Sequence, residues 1–318
     1  MAFFSILIAL LIEQVRPLRA ENPVHGAVRL FAIRAEGWFN AGQIDHGRLA
    51  WIVVILAMTL PTLLLYWVFA KMGPLTALIF NIVIVYLTLG MRQYSHYFTS
   101  IQFALASGDE ATARSLLADW TKQDTVAMDV REISRLAIEK AMLTTHRRVF
   151  GVFFWFILPL GPAGAVFYRV AEYLARAWKE PDHLKNEAFG RFAQQAFYWI
   201  DWIPSRLTAA TFAVVGNFED AIYAWRNFAH RWEDRATGII LATGGGAIGA
   251  RLGSPLEKAA SVPEAEALTM ETSAPEPESL PGEEPSIRSL QSTVGLVWRS
   301  LLLWLLLLLL LSVTAWFS

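Results

Sequence analysis

With only 17% of its 318 residues charged, this chain offers few side chains able to do chemistry, and three stretches set them beside helix breakers. In DWIPSRLTA, Asp201 and Arg206 flank Pro204 at the mouth of an apolar run. The residue before a proline is pushed out of the α region, and proline suits a first helical turn. A helix over 189–202 is therefore expected to end near Ile203 and another to begin at Pro204. Arg206 then lies in a first turn, where positive charge is disfavoured. It needs either Asp201 as a charge partner or an anionic ligand held together with free backbone N–H groups. In PLGPAGAVFYRVAEYLARAW, Pro159 and Pro162 interrupt an apolar run ahead of a helix carrying Arg169, Glu172 and Arg176. Broken helices at membrane depth line cavities, because exposed backbone is tolerated there only against protein or water; a kinked span is the plainer alternative. In GIILATGGGAIGARLGSP, Gly244, Gly246 and Gly249 have the G-x-G-x-x-G spacing. A dinucleotide fold also needs a surrounding βαβ unit and a suitably placed downstream acid, so close backbone packing or a loop near a ligand is the expectation here.

The elements that must position these residues are apolar helices. Hydrophobic residues, 13 tryptophans among them, make up 55% of the chain, which is too apolar for an ordinary cytosolic domain. Five segments read as membrane elements: Ala2–Ile12, Trp51–Ala70, Met72–Gly90, Val149–Tyr168 and Leu301–Phe317. The first lacks a basic flank and a small-residue cleavage site, so it reads as a retained anchor and not a cleaved signal. Basic residues in 13–50 and 91–148 place both segments in the cytoplasm. The second of these reads as amphipathic helices, one capped at Ser107 or Asp109 with a Leu116, Leu117 and Trp120 stripe. Residues 254–292 are rich in Pro, Glu, Ser and Ala and read as a disordered acidic linker. The expected organisation is a membrane domain over 1–253, that linker, and a C-terminal transmembrane helix over 293–318. The fold class is all-α: a polytopic integral protein of a bacterial-type inner membrane with a helical cytosolic layer and broken or re-entrant helices. The absence of cysteine removes disulfides and thiolate chemistry, and a net charge of -1 carries no nucleic-acid footprint. The six histidines show no metal-ligand spacing and read as scattered surface or interface residues, so no metal site is expected.

At these same residues the chain resembles a membrane superfamily comprising the CobD/CbiB proteins of cobalamin biosynthesis and the AmpE proteins linked to β-lactamase induction. The likeness runs over about 3–255 and is strongest in PLGPAGAVFYRV, FGRFAQQAFYWIDWIPSRLTA and GAIGARLGSP. CobD/CbiB members join an aminopropanol-type arm to the carboxylate of adenosylcobyric acid, which implies a bulky corrinoid substrate. Set against their pattern, the chain keeps Asp124, Arg135, Glu139, Pro162, Tyr168, Arg169, Pro204, Arg206 and the glycines Gly246, Gly249 and Gly253. It departs where the pattern has acids: TKQDT replaces VGRDT, Leu143, Thr144 and Arg147 replace an AEN followed by aspartate, Glu172 and Ala175 replace Asn and Asp, and Phe197 and Tyr198 replace paired aspartates. AmpE proteins share the aromatic-rich VFFWFILP span and the Asp201–Arg206 motif. The resemblance therefore implies a non-catalytic AmpE-like sensor or signalling modulator. Its alternative is a divergent amide-forming enzyme of the adenosylcobinamide-phosphate synthase type. Asp124, Arg135, Glu139, Tyr168, Arg169, Glu172, Asp201 and Arg206 are the candidate cavity residues, with no catalytic residue assigned. Expected partners are the lipid bilayer and a corrinoid or cell-wall-derived ligand, and no nucleic acid. No cofactor is expected unless the synthase alternative holds, which would bring in Mg or the corrinoid.

Overall fold

The computed structural model describes residues 1–17, 23–40, 44–179, 187–253 and 280–317. The described residues are helical apart from turns and one isolated parallel bridge, Ala250 with Glu283, so the chain is all-α. In chain order the helices are α1 (Ala2–Val15), α2 (Pro23–Phe39), α3 (Ile44–Met72), α4 (Pro74–Thr88), α5 (Met91–Ala106), α6 (Glu110–Thr121), α7 (Val130–Thr145), α8 (Gly151–Ile157), α9 (Pro162–Ala177), α10 (Glu187–Ile200), α11 (Trp202–Val215), α12 (Phe218–Phe228), α13 (Arg235–Ile248) and α14 (Ile287–Phe317). A π turn, His146–Phe150, joins α7 to α8. The chain divides into two compact units, residues 1–96, 144–204 and 303–318 in one and residues 97–143 and 205–302 in the other.

In the first unit α3 packs on α2, α4, α9 and α10. Its core is built from small and branched residues, among them Ala50, Val54, Ile55, Val170, Ala171 and Leu174, closed by the rings of Trp178 and Phe189. Among the described residues two helices are long and apolar enough to cross a membrane, at Ile44–Met72 and Ile287–Thr314. Leu56, Leu60, Leu64, Trp67 and Val68 of α3 form an apolar face left exposed among the described residues. The other segments read as spans are shorter: α1 and α4 are apolar helices of 14 and 15 residues.

The membrane segment read over 149–168 is interrupted at its prolines, as the broken-helix reading expects. Leu158 is extended, Gly161 takes φ +53°, a value that costs most residues strain, and Pro162 opens α9. α9 then folds back on α8, and a Cβ at Gly164 would collide with the Trp155 carbonyl oxygen, so only glycine permits this approach. The helix boundary near Asp201 differs from expectation. α10 ends at Ile200 and α11 starts at Trp202, which leaves Asp201 at the junction. Pro204 is the third residue of α11, still within the first turn, where its missing N–H has no intrahelical acceptor to lose.

In the second unit the helix starts follow their local signals. Asp109 caps α6, accepting from the Thr112 N–H at 3.0 Å, and Asn217 and Asp234 cap α12 and α13. α13 carries the glycine run inside a helix that lies against α12, where a Cβ at Gly246 would sit 2.5 Å from the Asp220 carbonyl oxygen. Gly249 ends α13 at φ +67°, a left-handed cap. With a helix and no βαβ unit around it, the G-x-G-x-x-G spacing serves packing and capping. The linker expectation of 254–292 is corrected at its far end, while 254–279 lie outside the described residues. The Arg251 N–H donates to the Glu283 carbonyl and the Glu283 N–H to that of Gly249, so this segment is paired, and α14 begins at Ile287 instead of 293.

Candidate functional site

The sequence-derived candidates fall into two groups, one in each unit. In the first unit, the π turn after α7 inserts an extra residue into the helical repeat, a distortion that recurs at functional sites. It carries His146, Arg147 and Arg148. The His146 Nε2 lies 2.9 and 3.0 Å from the two carboxylate oxygens of Asp201, and the Tyr168 hydroxyl donates to Asp201 Oδ1 at 2.8 Å. All three side chains are buried. Gly151 makes this possible, since a Cβ there would run into the Tyr168 ring and hydroxyl. The Thr145 hydroxyl donates to Tyr94 at 2.9 Å and secures the turn from the other side.

One turn beyond Tyr168 on α9 lies a second centre. Arg169 Nη1 is 3.0 Å from Glu172 Oε2, and Arg176 Nε is 3.5 Å from Glu172 Oε1. Arg147 and Arg148 act electrostatically on the same carboxylate. Burial by itself would raise the Glu172 carboxyl, but the four arginines outweigh it and hold the group below the usual carboxylate range. Burial first, then the neighbouring Arg169 and Arg176, push the Arg148 guanidinium down to about 10. Such crowding of cations around one acid favours an additional anion. Glu172 is committed to two arginines and Asp201 to His146 and Tyr168, an arrangement that suits an anionic group better than a divalent cation. Among the described residues no group of three or more His, Asp or Glu is placed to hold a metal.

The second unit holds the remaining candidates. Arg135 and Glu139 sit one turn apart on α7, and Glu139 Oε1 accepts the Gly253 N–H at 3.1 Å. Burial raises the Glu139 carboxyl to about 7 against the pull of Arg135 and that N–H. Asp124 is an exposed turn residue whose carboxylate accepts the Val126 N–H at 3.0 Å. Neighbouring Thr125 is buried and donates to the Arg114 carbonyl at 2.8 Å. Arg206, expected in a first turn, is half-buried as the fifth residue of α11, past the first turn because the helix starts at Trp202 and not at Pro204. Pro159 and Pro162 bracket the break between α8 and α9, while Gly246, Gly249 and Gly253 are packing and capping positions.

Sequence reasoning missed His146 and the part played by Arg147 and Arg148. His146 was expected at a surface or interface, yet it is fully enclosed. The available signal was the run THRR at 145–148, basic residues directly ahead of an aromatic membrane segment, which are costly there without acidic partners.

A model of the CobD/Cbib protein family matches residues 3–282. The chain belongs to the CobD/CbiB family. It is 31% identical over 313 residues to the cobalamin biosynthesis protein CobD of Stutzerimonas stutzeri, with 96% of this chain and 97% of that protein covered. Proteins of the same name from Chromobacterium violaceum and Synechocystis are similar at 31% and 29% identity, over 67% and 54% of this chain and 68% and 48% of theirs. No solved structure matches. These relatives favour the biosynthetic alternative over the AmpE-like sensor, for which the comparisons offer no support.

Proposed function

We propose that this family member is a multi-pass inner-membrane enzyme of cobalamin biosynthesis that joins the carboxylate of a corrinoid acid to the amine of an aminopropanol-type arm. The observation that carries this reading is the likeness to a CobD protein over nearly the full length of both chains. The arginine centre around Glu172 is consistent with it, because both the corrinoid carboxylate and a phosphorylated arm are anions. Arginines bind such groups by charge-assisted, bidentate hydrogen bonds. The exposed apolar face of α3 and the leucine run of α14 anchor the site to a bilayer.

Complementation tests the reading. A bacterium deprived of its own CobD gene and made dependent on cobalamin is supplied with adenosylcobyric acid or, as a control, with cobinamide. Expression of this chain restores growth on the acid, and Arg169→Gln or Glu172→Gln removes the rescue while growth on cobinamide persists. Failure of the unaltered chain to rescue, with the protein detected in membranes, refutes the synthase assignment.

A further inference from the structure

α2 distributes its side chains in the reverse of what water favours. A helix between a protein core and water turns its large apolar residues inward and its charges outward. In α2 the core side is Ala32 and Ala35. Leu30, Phe31 and Trp38 are exposed among the described residues, and Leu30, Arg34 and Trp38 form one outward row at four-residue spacing. Arg29 and Glu36 instead line a cavity of about 270 Å³ together with Tyr173 and Arg176 of α9.

The depth of this face follows from its neighbours. Residues 49–70 of α3, between Arg48 and Lys71, carry no charge and rise about 33 Å, close to the thickness of a bilayer's hydrocarbon core. α3 and α4 form an antiparallel pair across the turn at Gly73, with Phe69 stacked on Phe80 at 5.1 Å. Thr88 stands about 12 Å further along α4 and is therefore level with Pro61 of α3, near the middle of the charge-free stretch. Val28 lines a cleft with Leu87 and Thr88, so the first turns of α2 reach that same depth. From there α2 rises to Phe39, shortly before α3 begins at Ile44. Leu30 is accordingly deep, whereas Arg34 and Trp38 approach the end of α3 that carries Arg48.

We propose that α2 is immersed in the bilayer beside α3, with Leu30 and Phe31 against lipid acyl chains and Arg34 and Trp38 at the headgroups. This placement rests on the reading of α3 as a span under the proposed function. Basic residues make the segment read as cytoplasmic, but arginine and tryptophan also anchor a helix at the membrane interface, where Arg34 can extend its guanidinium along the helix to a lipid phosphate. At the depths that α2 occupies, Leu49, Val53 and Leu56 of α3 are exposed as well, so the apolar surface assigned to lipid extends over both helices.

A chain without cysteine permits single spin labels. Leu30→Cys and Gly37→Cys on α2, Leu64→Cys on α3 and Ser107→Cys beyond α5 are each labelled with a nitroxide in the full-length protein, in nanodiscs of phosphatidylcholine and phosphatidylglycerol. Power saturation then reads collisions with oxygen, which partitions into lipid, and with a water-soluble nickel chelate. The oxygen-to-nickel ratio at Leu30 should match that at Leu64 and exceed that at Ser107 several-fold, with Gly37 in between. Gly26→Cys, where an added Cβ meets no neighbour, takes the place of Leu30→Cys if that variant does not fold. Nickel access at Leu30 beside a shielded Leu64 puts α2 in water and overturns the proposal while leaving α3 a span. Shielding of Leu30 from both reagents means that protein covers it, which overturns the proposal equally. Nickel access at Leu64 as well removes the membrane reading itself, and the placement of α2 with it.

Discussion

Replacing Tyr168 by Phe and Asp201 by Asn, singly and together, probes the buried node that fixes the π turn. Asp201 accepts from the Tyr168 hydroxyl at 2.8 Å and lies 2.9 Å from the His146 ring nitrogen, and none of the three side chains is open to solvent. Tyr168→Phe deletes one hydrogen bond to a carboxylate, a loss of about 1.5–3 kcal/mol. Asp201→Asn leaves one carbonyl oxygen where two acceptors stood and presents an amide N–H₂ to the other partner. At least one buried group is then mispaired, at a similar cost of roughly 2–3 kcal/mol. The bond between Tyr168 and Asp201 is lost in both single variants, so the double variant should fall short of the summed losses by about 1.5–3 kcal/mol. Unfolding in detergent micelles, followed by the helical circular dichroism signal, measures all four proteins. Losses that add to within about 0.5 kcal/mol would mean that the two side chains do not interact, and the node would have to be redrawn.

Two glycines with equally close neighbours should respond differently. Gly151→Ala drives a methyl into the enclosed Tyr168 ring and should cost about 1–3 kcal/mol or abolish folding, whereas Gly253→Ala meets only the movable end of Arg135 and should cost under about 1 kcal/mol. Comparison of yield and melting temperature decides between them. Glu139 titrates near 7 in the fold against 4.5 for the free group, so the folded state binds the extra proton between those values and stability falls as pH rises through that window. The loss amounts to about 3 kcal/mol by pH 8, and Glu139→Gln should flatten the pH profile of unfolding; an unaltered slope excludes Glu139 as its source. A cysteine placed at exposed Ser107, in a chain with none of its own, should react with an impermeant thiol reagent only in inverted membrane vesicles. Labelling of intact cells would reverse the assigned orientation.

The features legible in the sequence are those with a local cause. Asp109 and the acidic start of α6, the break at Pro159–Pro162 and the left-handed cap at Gly249 each follow from a few adjacent residues. The boundary at Asp201 was misplaced by two residues because proline is tolerated throughout the first helical turn and not only at its opening. The partners of Asp201 were not legible at all. His146 is 55 residues away, and no periodicity links a π turn to a junction between two other helices. Pairing Asp201 with nearby Arg206 was the local solution. The described partners of Asp201 are His146 and Tyr168, two groups that must be buried together with it for their polar atoms to be satisfied.

The positions at which this chain departs from the synthase pattern bear on what the centre can do. Arg147 stands where that pattern has an acid, and it acts on Glu172 and Tyr168. Phe197, in place of an aspartate, has its ring 5.6 Å from that of Tyr168, and Ala175, also in place of an aspartate, is buried on α9 one turn from Glu172. The departures therefore adjoin the retained residues instead of scattering over the surface. Glu172, where the pattern has asparagine, restores one acid within the same region. Its electrostatic setting is dominated by arginines, so the centre is fitted to hold anions in place and poorly fitted to collect a cation. If the chain joins a carboxylate to an amine, the acids left to manage protons in this unit's buried centre are Glu172 and Asp201. The second of these is already bonded to His146, a group that can pass a proton on. Asp201→Asn should then depress complementation more than Tyr168→Phe at equal folded yield, because only the former removes the carboxylate. Equal rescue by the two variants would reduce the node to a structural support.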